Sequence, residues 1–199
     1  MFNLGHYKVP QSTRGGLCLD VGCNLGDFTY KYRNHFARII YIEAQTKLFE
    51  NLVNRFKDYP SITGMNKAAW SESGLTLDLI EHHKRDHGSV AVKSENLNDE
   101  WLEDEVVNQC ETVSIEEFAD LNISYLKMDC ETSEYEFLLG KDLSNIDHIG
   151  IEMQHQLGPE KYYELYHWIL KTHDLGGGNP SYIKGMNREA YFKRKTKNE

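Results

Sequence analysis

A short apolar run, Leu17-Cys18-Leu19-Asp20-Val21, turns at Gly22 and Gly26 and continues into Phe28, Tyr32 and Phe36. Apolar runs of this length bounded by turn residues suit strands of a parallel sheet covered on both faces. The i, i+4, i+8 spacing of the three aromatics marks one face of a helix. Strand, glycine turn and helix, in that order, are how an open α/β sheet builds a nucleotide site at the carboxyl ends of its strands. The glycines let the chain bend sharply and let a ligand approach the backbone.

The dinucleotide fingerprint is incomplete. The spacing is Gly-x-x-x-Gly rather than Gly-x-Gly-x-x-Gly, and Asp20 at the strand end would repel a pyrophosphate. A ligand with a cationic centre and no phosphates fits better, and S-adenosylmethionine has a sulfonium, an α-amino group and an adenosine. A turn whose glycines serve geometry alone is the competing reading. A second strand, Arg38 to Glu43, ends in an acid about 20 residues past the turn, where this architecture hydrogen-bonds a ribose diol. Phe49, Leu52, Val53 and Phe56 predict an amphipathic helix, and Ile62 to Trp70 a third strand. Asn66, Lys67, Ala68 and Ala69 lie toward the carboxyl end of that strand, where a small polar group beside two alanines suits an adenine.

Composition narrows the class. A chain of 199 residues with 40% hydrophobic and 12% aromatic residues has enough apolar material for one cored domain, residues 1–199. The net charge of −9 argues against a nucleic-acid partner, which requires a basic surface. No apolar run reaches membrane-spanning length and no amino-terminal signal is visible. Cys18, Cys23, Cys110 and Cys130 form no CxxC pair and no zinc-ligand spacing, so a soluble protein of the reducing cytoplasm is expected.

Residues 1–16 read as a lead-in over a pocket, with His6 and Tyr7 packing at its surface. Leu75, Leu77 and Leu79 alternate with polar residues and are answered by Gly88 to Val92, predicting a hairpin insertion over 71–93. The intervening His82, His83, Lys84, Arg85, Asp86 and His87 read as a solvated loop rather than a metal site. Residues 95–109 are acidic and weakly patterned, with Trp101 and Leu102 anchoring a surface helix. Ser114-x-x-Glu117 and Ser133-x-x-Glu136 are capping boxes that predict helix starts. Ile123 to Glu131 and Ile146 to Met153 read as the fourth and fifth strands, and Tyr162, Leu165, Tyr166 and Ile169 as a core-facing helix. Gly176-Gly177-Gly178-Asn179-Pro180 reads as a flexible surface break, Glu189 to Lys193 as a last edge strand, and 193–199 as a flexible tail.

Asp129 and Glu131 close the fourth strand, and alternation puts their side chains on one face. Glu152 and His155 close the fifth at the same end of the sheet. Unpaired carboxylates in central strands are costly, so these acids point to function.

In this order the residues resemble the FkbM type of S-adenosylmethionine-dependent methyltransferase. The resemblance rests on Asp20-Val21-Gly22-Cys23-Asn24-Leu25-Gly26, on Tyr41-Ile42-Glu43-Ala44, on Asn66-Lys67-Ala68-Ala69, and above all on Leu126 to Gly140. That last segment is similar to a pattern of Lys-x-Asp-x-Glu-Gly-x-Glu before an apolar helix, with Thr132 where the family usually has glycine. The resemblance implies a class I methyltransferase (Rossmann-like) α/β fold. Such a fold has a mostly parallel seven-stranded sheet with helices on both faces and an antiparallel last strand, here with the hairpin added. It implies methyl transfer to a hydroxyl of a small molecule, sugar or glycan. Asp20, Gly22, Cys23, Asn24 and Gly26 are then expected around the methionine portion, Glu43 and Ala44 at the ribose, and Asn66, Lys67 and Ala68 on the adenine side. Asp129 is expected near the methyl group, where it or Glu131 is the first choice of base, with His155 and Glu152 the second. A divalent cation on Asp129, Glu131 and Glu152 is conceivable but not favoured, and no metal is assigned. The alternatives are a non-catalytic module that binds the same cofactor, and a weaker one, an NAD-dependent oxidoreductase. The acceptor and the oligomeric state are not readable from the sequence.

Overall fold

The structure, a computed structural model, describes residues 7–81, 90–93 and 106–196. The apolar run forms β1 (Leu17–Val21), and α1 (Asp27–Tyr32) starts at Gly26, whose φ of 80° turns the chain into the helix. α1 is shorter than the aromatic spacing predicts; Phe36 lies past its end yet packs edge-on to Tyr32, with ring centroids 6.4 Å apart. β2 (Arg38–Ile42), α2 (Thr46–Phe56), β3 (Ile62–Met65) and the two-residue β4 (Ala68–Ala69) follow. Next come β5 (Thr76–Glu81), β6 (Val90–Val92), β7 (Val106–Val113), β8 (Ile123–Met128) and α3 (Ser133–Leu138). The described chain ends with β9 (His148–Met153), α4 (Gly158–Thr172), β10 (His173–Gly178) and β11 (Arg188–Arg194).

The main sheet has seven strands in the order β10-β11-β9-β8-β1-β2-β3. β9, β8, β1, β2 and β3 pair in parallel, and β11 runs antiparallel to both of its neighbours. This is the α/β sheet expected, mixed rather than wholly parallel. From β1 the chain builds outward through β2 and β3, then crosses to β8 and β9 on the other side. Ligands of open α/β sheets sit in the crevice at that reversal, here between the carboxyl ends of β1 and β8.

Strand alternation separates two cores. Leu19, Val21, Ile40, Ile42, Leu126 and Met128 pack with Phe137 and Leu138 of α3 and Leu165 and Ile169 of α4. Cys18, Ile39, Tyr41 and Tyr125 face the other way, onto Phe28 of α1 and Leu52 and Phe56 of α2. Val53, placed on the buried face by its spacing, is 47% exposed. Among the described residues no helix is long and apolar enough to cross a membrane.

Several expectations need correction. The third strand does not run from Ile62 to Trp70: it breaks after Met65, and Ala68–Ala69 joins a separate sheet ordered β4-β7-β5-β6. The hairpin is present, with Leu79 opposite Val92, but β5 also pairs along β7, which begins inside the segment read as weakly patterned. The loop His82 to His87, together with Gly88, Trp101, Leu102 and His6, lies outside the described residues. The glycine run belongs to β10, which is the edge strand, while β11 is interior and extends through Arg194. Lys195 still donates its backbone N–H to Thr172, so order reaches into the segment read as a tail, whose residues 197–199 lie outside those described. Neither capping box forms. Ser114 precedes a single 3-10 turn without a side-chain cap, and Ser133 is the first residue of α3, whose cap is Thr132.

Candidate functional site

The crevice is closed on its floor by the glycine turn. Gly22, Asn24 and Gly26 all have positive φ, 69°, 51° and 80°. Gly22 has no alternative, because a Cβ there would fall 1.8 Å from the backbone oxygen of Asp129. Asp129 in turn donates its N–H to the Val21 carbonyl at 3.1 Å, so the ends of β1 and β8 are laced together. Cys23 is buried in the turn, and burial pushes its thiol well up, which makes it an apolar contact rather than a nucleophile.

Asp20 is fully buried and faces the protein. Its Oδ2 accepts from the Thr29 hydroxyl of α1 at 2.6 Å, and its Oδ1 lies 3.3 Å from the ammonium of Lys127. Lys127 also donates to the Gly22 carbonyl at 2.6 Å. Burial works against the lysine's charge, but Asp20 and Asp129 outweigh it and raise its pKa. Acid and lysine together therefore clamp the turn between β1, β8 and α1. Among the described residues the cations at the turn are thus engaged, Lys127 on Asp20 and Gly22 and Arg55 on Asp27 and the Leu25 carbonyl.

Glu43 ends β2 with both oxygens engaged: Oε2 accepts from the Asn24 N–H at 2.8 Å and Oε1 from the Gln45 N–H at 2.9 Å. Burial raises its pKa despite those donors. The Asn66 amide donates to the carbonyls of Glu43 and Ala44 at 2.9 and 3.0 Å, and its oxygen accepts from Thr46 at 3.0 Å. Its carboxamide thus braces the end of β2. Lys67 pairs with Glu111. Ala68 is buried, with Ala44 and Trp70 packed beside it, which gives this side of the crevice small apolar walls.

β8 stops at Met128, so strand alternation does not govern Asp129 and Glu131. They stand in a turn in which Glu131 and Thr132 have φ of 51° and 81°. Glu134 follows in the first turn of α3, fully buried, with Oε1 accepting the Cys130 N–H at 2.6 Å and Oε2 without a partner. Burial, reinforced by Asp129 and Glu131, pushes its carboxyl up to about 7. Glu152 reaches about 8, through burial first and then Asp129, Glu131 and Glu134. Its Oε2 accepts from Gln154 at 2.6 Å and from Asn187 at 3.0 Å. Asn187 Oδ1 in turn accepts the backbone N–H of His155 at 3.2 Å and lies 2.8 Å from that ring's Nδ1. Tyr7 of the lead-in folds over this group: its phenol reaches the Met128 carbonyl at 3.5 Å, and burial, then Asp129, Glu152 and Glu189, push its pKa well up.

The structure therefore gathers Asp129, Glu131, Glu152 and His155 at one end of the sheet, opposite Glu43 across the glycine turn. Lys127, Thr29, Glu134 and Asn187 join them without having been singled out. For Lys127 and Glu134 the Lys-x-Asp-x-Glu-Gly-x-Glu pattern is a signal; nothing in the sequence marks Asn187. Among the described residues no group of three or more His, Cys, Asp or Glu is arranged to hold a metal ion.

Comparison with known proteins covers most of the chain. Residues 20–176 match the family model of the methyltransferase FkbM domain. Among curated proteins none matches. Among solved structures, methyltransferase FkbM from Methylobacillus flagellatus superposes with a TM-score of 0.54 at 16% identity, over 94% of this chain and 48% of that one. TrmK of M. capricolum, solved with its cofactor product S-adenosyl-homocysteine, gives 0.51 at 8% identity over 90% and 62%. Fibrillarin of Aeropyrum pernix, solved with natively bound S-adenosyl-L-methionine, gives 0.52 at 10% over 93% and 69%. The chain thus spans about half the length of the first of these, and at these identities the likeness shows the shared fold.

Proposed function

The chain belongs to the FkbM methyltransferase family, and from that premise we propose that it transfers a methyl group from S-adenosylmethionine to a hydroxyl of a small molecule or sugar. The observation that carries this reading is the pairing of the glycine turn with Glu43. The turn needs positive φ at three positions and admits no Cβ at Gly22. Glu43, whose oxygens each hold one backbone N–H, retains the lone pairs to accept both hydroxyls of a ribose. The residues present fit the cofactor also in what they lack, since the one buried ammonium among the described residues, Lys127, is spent on Asp20 and Gly22.

When bound, S-adenosylmethionine supplies a methyl group already activated on a sulfonium. The chain's own work is to bind, align and exclude water. Gly22, Cys23, Asn24 and Gly26 would cradle the methionine portion, with Asp20 acting through Lys127 and Thr29 to keep the turn in shape. Ala44 and Ala68 would flank the adenine, with Asn66 holding the strand end in place. Tyr7 covers the crevice beside Asp129. Holding the acceptor in line supplies much of the acceleration in such a transfer, and a base for the hydroxyl proton adds to it. His155 or Asp129 would serve as that base, and the carboxylates around them disfavour a phosphate-bearing acceptor.

The test is a calorimetric titration with S-adenosylhomocysteine, with NAD as the control. Binding by the wild type, lost or weakened at least tenfold in Glu43→Ala and absent for NAD, is expected from the loss of a charge-assisted hydrogen-bonding group worth about 1.5–3 kcal/mol. A folded protein that binds NAD, or neither ligand, would overturn the reading.

A further inference from the structure

At the end of β9 three side chains are linked so that each fixes the orientation of the next. Glu152 Oε2 accepts from Asn187 Nδ2 at 3.0 Å, and from Gln154 Nε2 at 2.6 Å. With its nitrogen turned to the carboxylate, Asn187 has only Oδ1 to present to His155. That oxygen takes the His155 backbone N–H at 3.2 Å and lies 2.8 Å from ring Nδ1. A carbonyl oxygen can only accept, so Nδ1 must carry the ring proton, and the neutral imidazole then holds its lone pair on Nε2. The backbone keeps the partners in place. Asn187 stands immediately before β11, whose Arg188 pairs with Met153 and whose Glu189 pairs with Glu152.

Resting on the methyl-transfer reading, we propose that Asn187 is a positioning residue that locks His155 in its Nδ1–H form, so that Nε2 is the base for the acceptor. In the step this serves, the acceptor O–H bond breaks and its proton goes to Nε2. The electron pair left on oxygen becomes the new bond to the methyl carbon, and the pair of the broken carbon–sulfur bond stays on sulfur. The imidazolium formed is held through Asn187 toward Glu152 and afterwards gives its proton to water. An unrestrained neutral imidazole prefers the opposite tautomer, with the proton on Nε2 and no lone pair there, so the lock decides whether Nε2 can act.

The experiment is a long-range ¹H–¹⁵N correlation spectrum of the histidine rings in the ¹⁵N-labelled full chain, with His155 assigned from the peaks lost in His155→Gln. The expected wild-type pattern is a protonated Nδ1 and an unprotonated Nε2. In Asn187→Ala the two nitrogens move toward a tautomer mixture while S-adenosylhomocysteine affinity is unchanged. A wild-type ring protonated at Nε2, or an Asn187→Ala spectrum identical to the wild type, overturns the proposal. Titration of the same samples separates the two readings: a wrong tautomer in a protein that binds S-adenosylhomocysteine removes only the lock, whereas absence of binding removes the cofactor assignment.

Discussion

Thr132 holds φ at 81°, directly after Glu131 at 51°, so two residues with side chains occupy left-handed backbone in succession. For a β-branched residue this is strained, at about 1–3 kcal/mol. The position is also the one where the resembled family usually has glycine, and the conformation supplies the reason. Thr132→Gly would release the strain but also free the unfolded chain by about 0.4–1 kcal/mol and give up a buried methyl worth about 0.8 kcal/mol. The expected balance is a small gain, about 1 kcal/mol or less, read as a raised urea midpoint with an unchanged slope. A clear loss of stability would mean that the Thr132 side chain, which is buried, makes contacts that outweigh the strain. Gly22 stands at the opposite extreme, since no neighbour can yield: the atom in the way is backbone.

At the scale of elements, the carboxyl ends of β8 and β9 and the start of α3 crowd Asp129, Glu131, Glu134 and Glu152 together. The fold holds them at a cost, and Glu152 shows it most plainly, displaced from its usual 4.5 to about 8 by burial and by its acidic neighbours. The native state therefore binds the Glu152 proton more tightly than the unfolded chain does. Stability is undiminished below the unfolded value and falls as pH rises toward 8, with a slope of at most about 1.4 kcal/mol per pH unit. Glu152→Gln removes that dependence. Its urea midpoint should match the wild type near pH 4 and exceed it near pH 8, and an equal difference at both would rule out titration of Glu152 as the cause. These same elements show what a sequence discloses. β1, β2, β8 and β9 were legible because buried parallel strands are continuous apolar runs, and α4 because its core face repeats at helical spacing. β10 was not. Its glycines imitate a loop, but Gly176 is small because a Cβ would strike the Tyr191 ring at 2.5 Å, and Gly178 because one would strike the Glu189 carbonyl at 2.3 Å. Those neighbours belong to β11, so the reason for each glycine lies across the sheet rather than along the chain. The site divides in the same way: Gly22 and Glu43 announce themselves by spacing, whereas Asn187 matters only because β11 inserts beside β9.

At the scale of the whole molecule, the charge balance bears on the acceptor. The chain has 31 acids against 22 Lys and Arg, a net charge of −9, and Lys127 at the glycine turn is buried against Asp20. A nucleic acid binds mainly by exchanging counterions for Lys and Arg, so a chain of this charge with Asp129, Glu131 and Glu189 about the crevice offers it repulsion. A neutral hydroxylated acceptor meets no such barrier. Transfer RNA is therefore expected to leave the protein's electrophoretic mobility unchanged even at about 50 mM salt, where phosphate contacts are strongest. S-adenosylhomocysteine should raise the melting temperature of the same sample, since about 2.7 kcal/mol follows from ligand at a hundredfold excess over Kd. A salt-sensitive mobility shift with RNA would show that a basic surface forms elsewhere on the chain. The neutral-acceptor reading would then fall while the proposed cofactor site stood, because the thermal shift reads cofactor binding and not the acceptor.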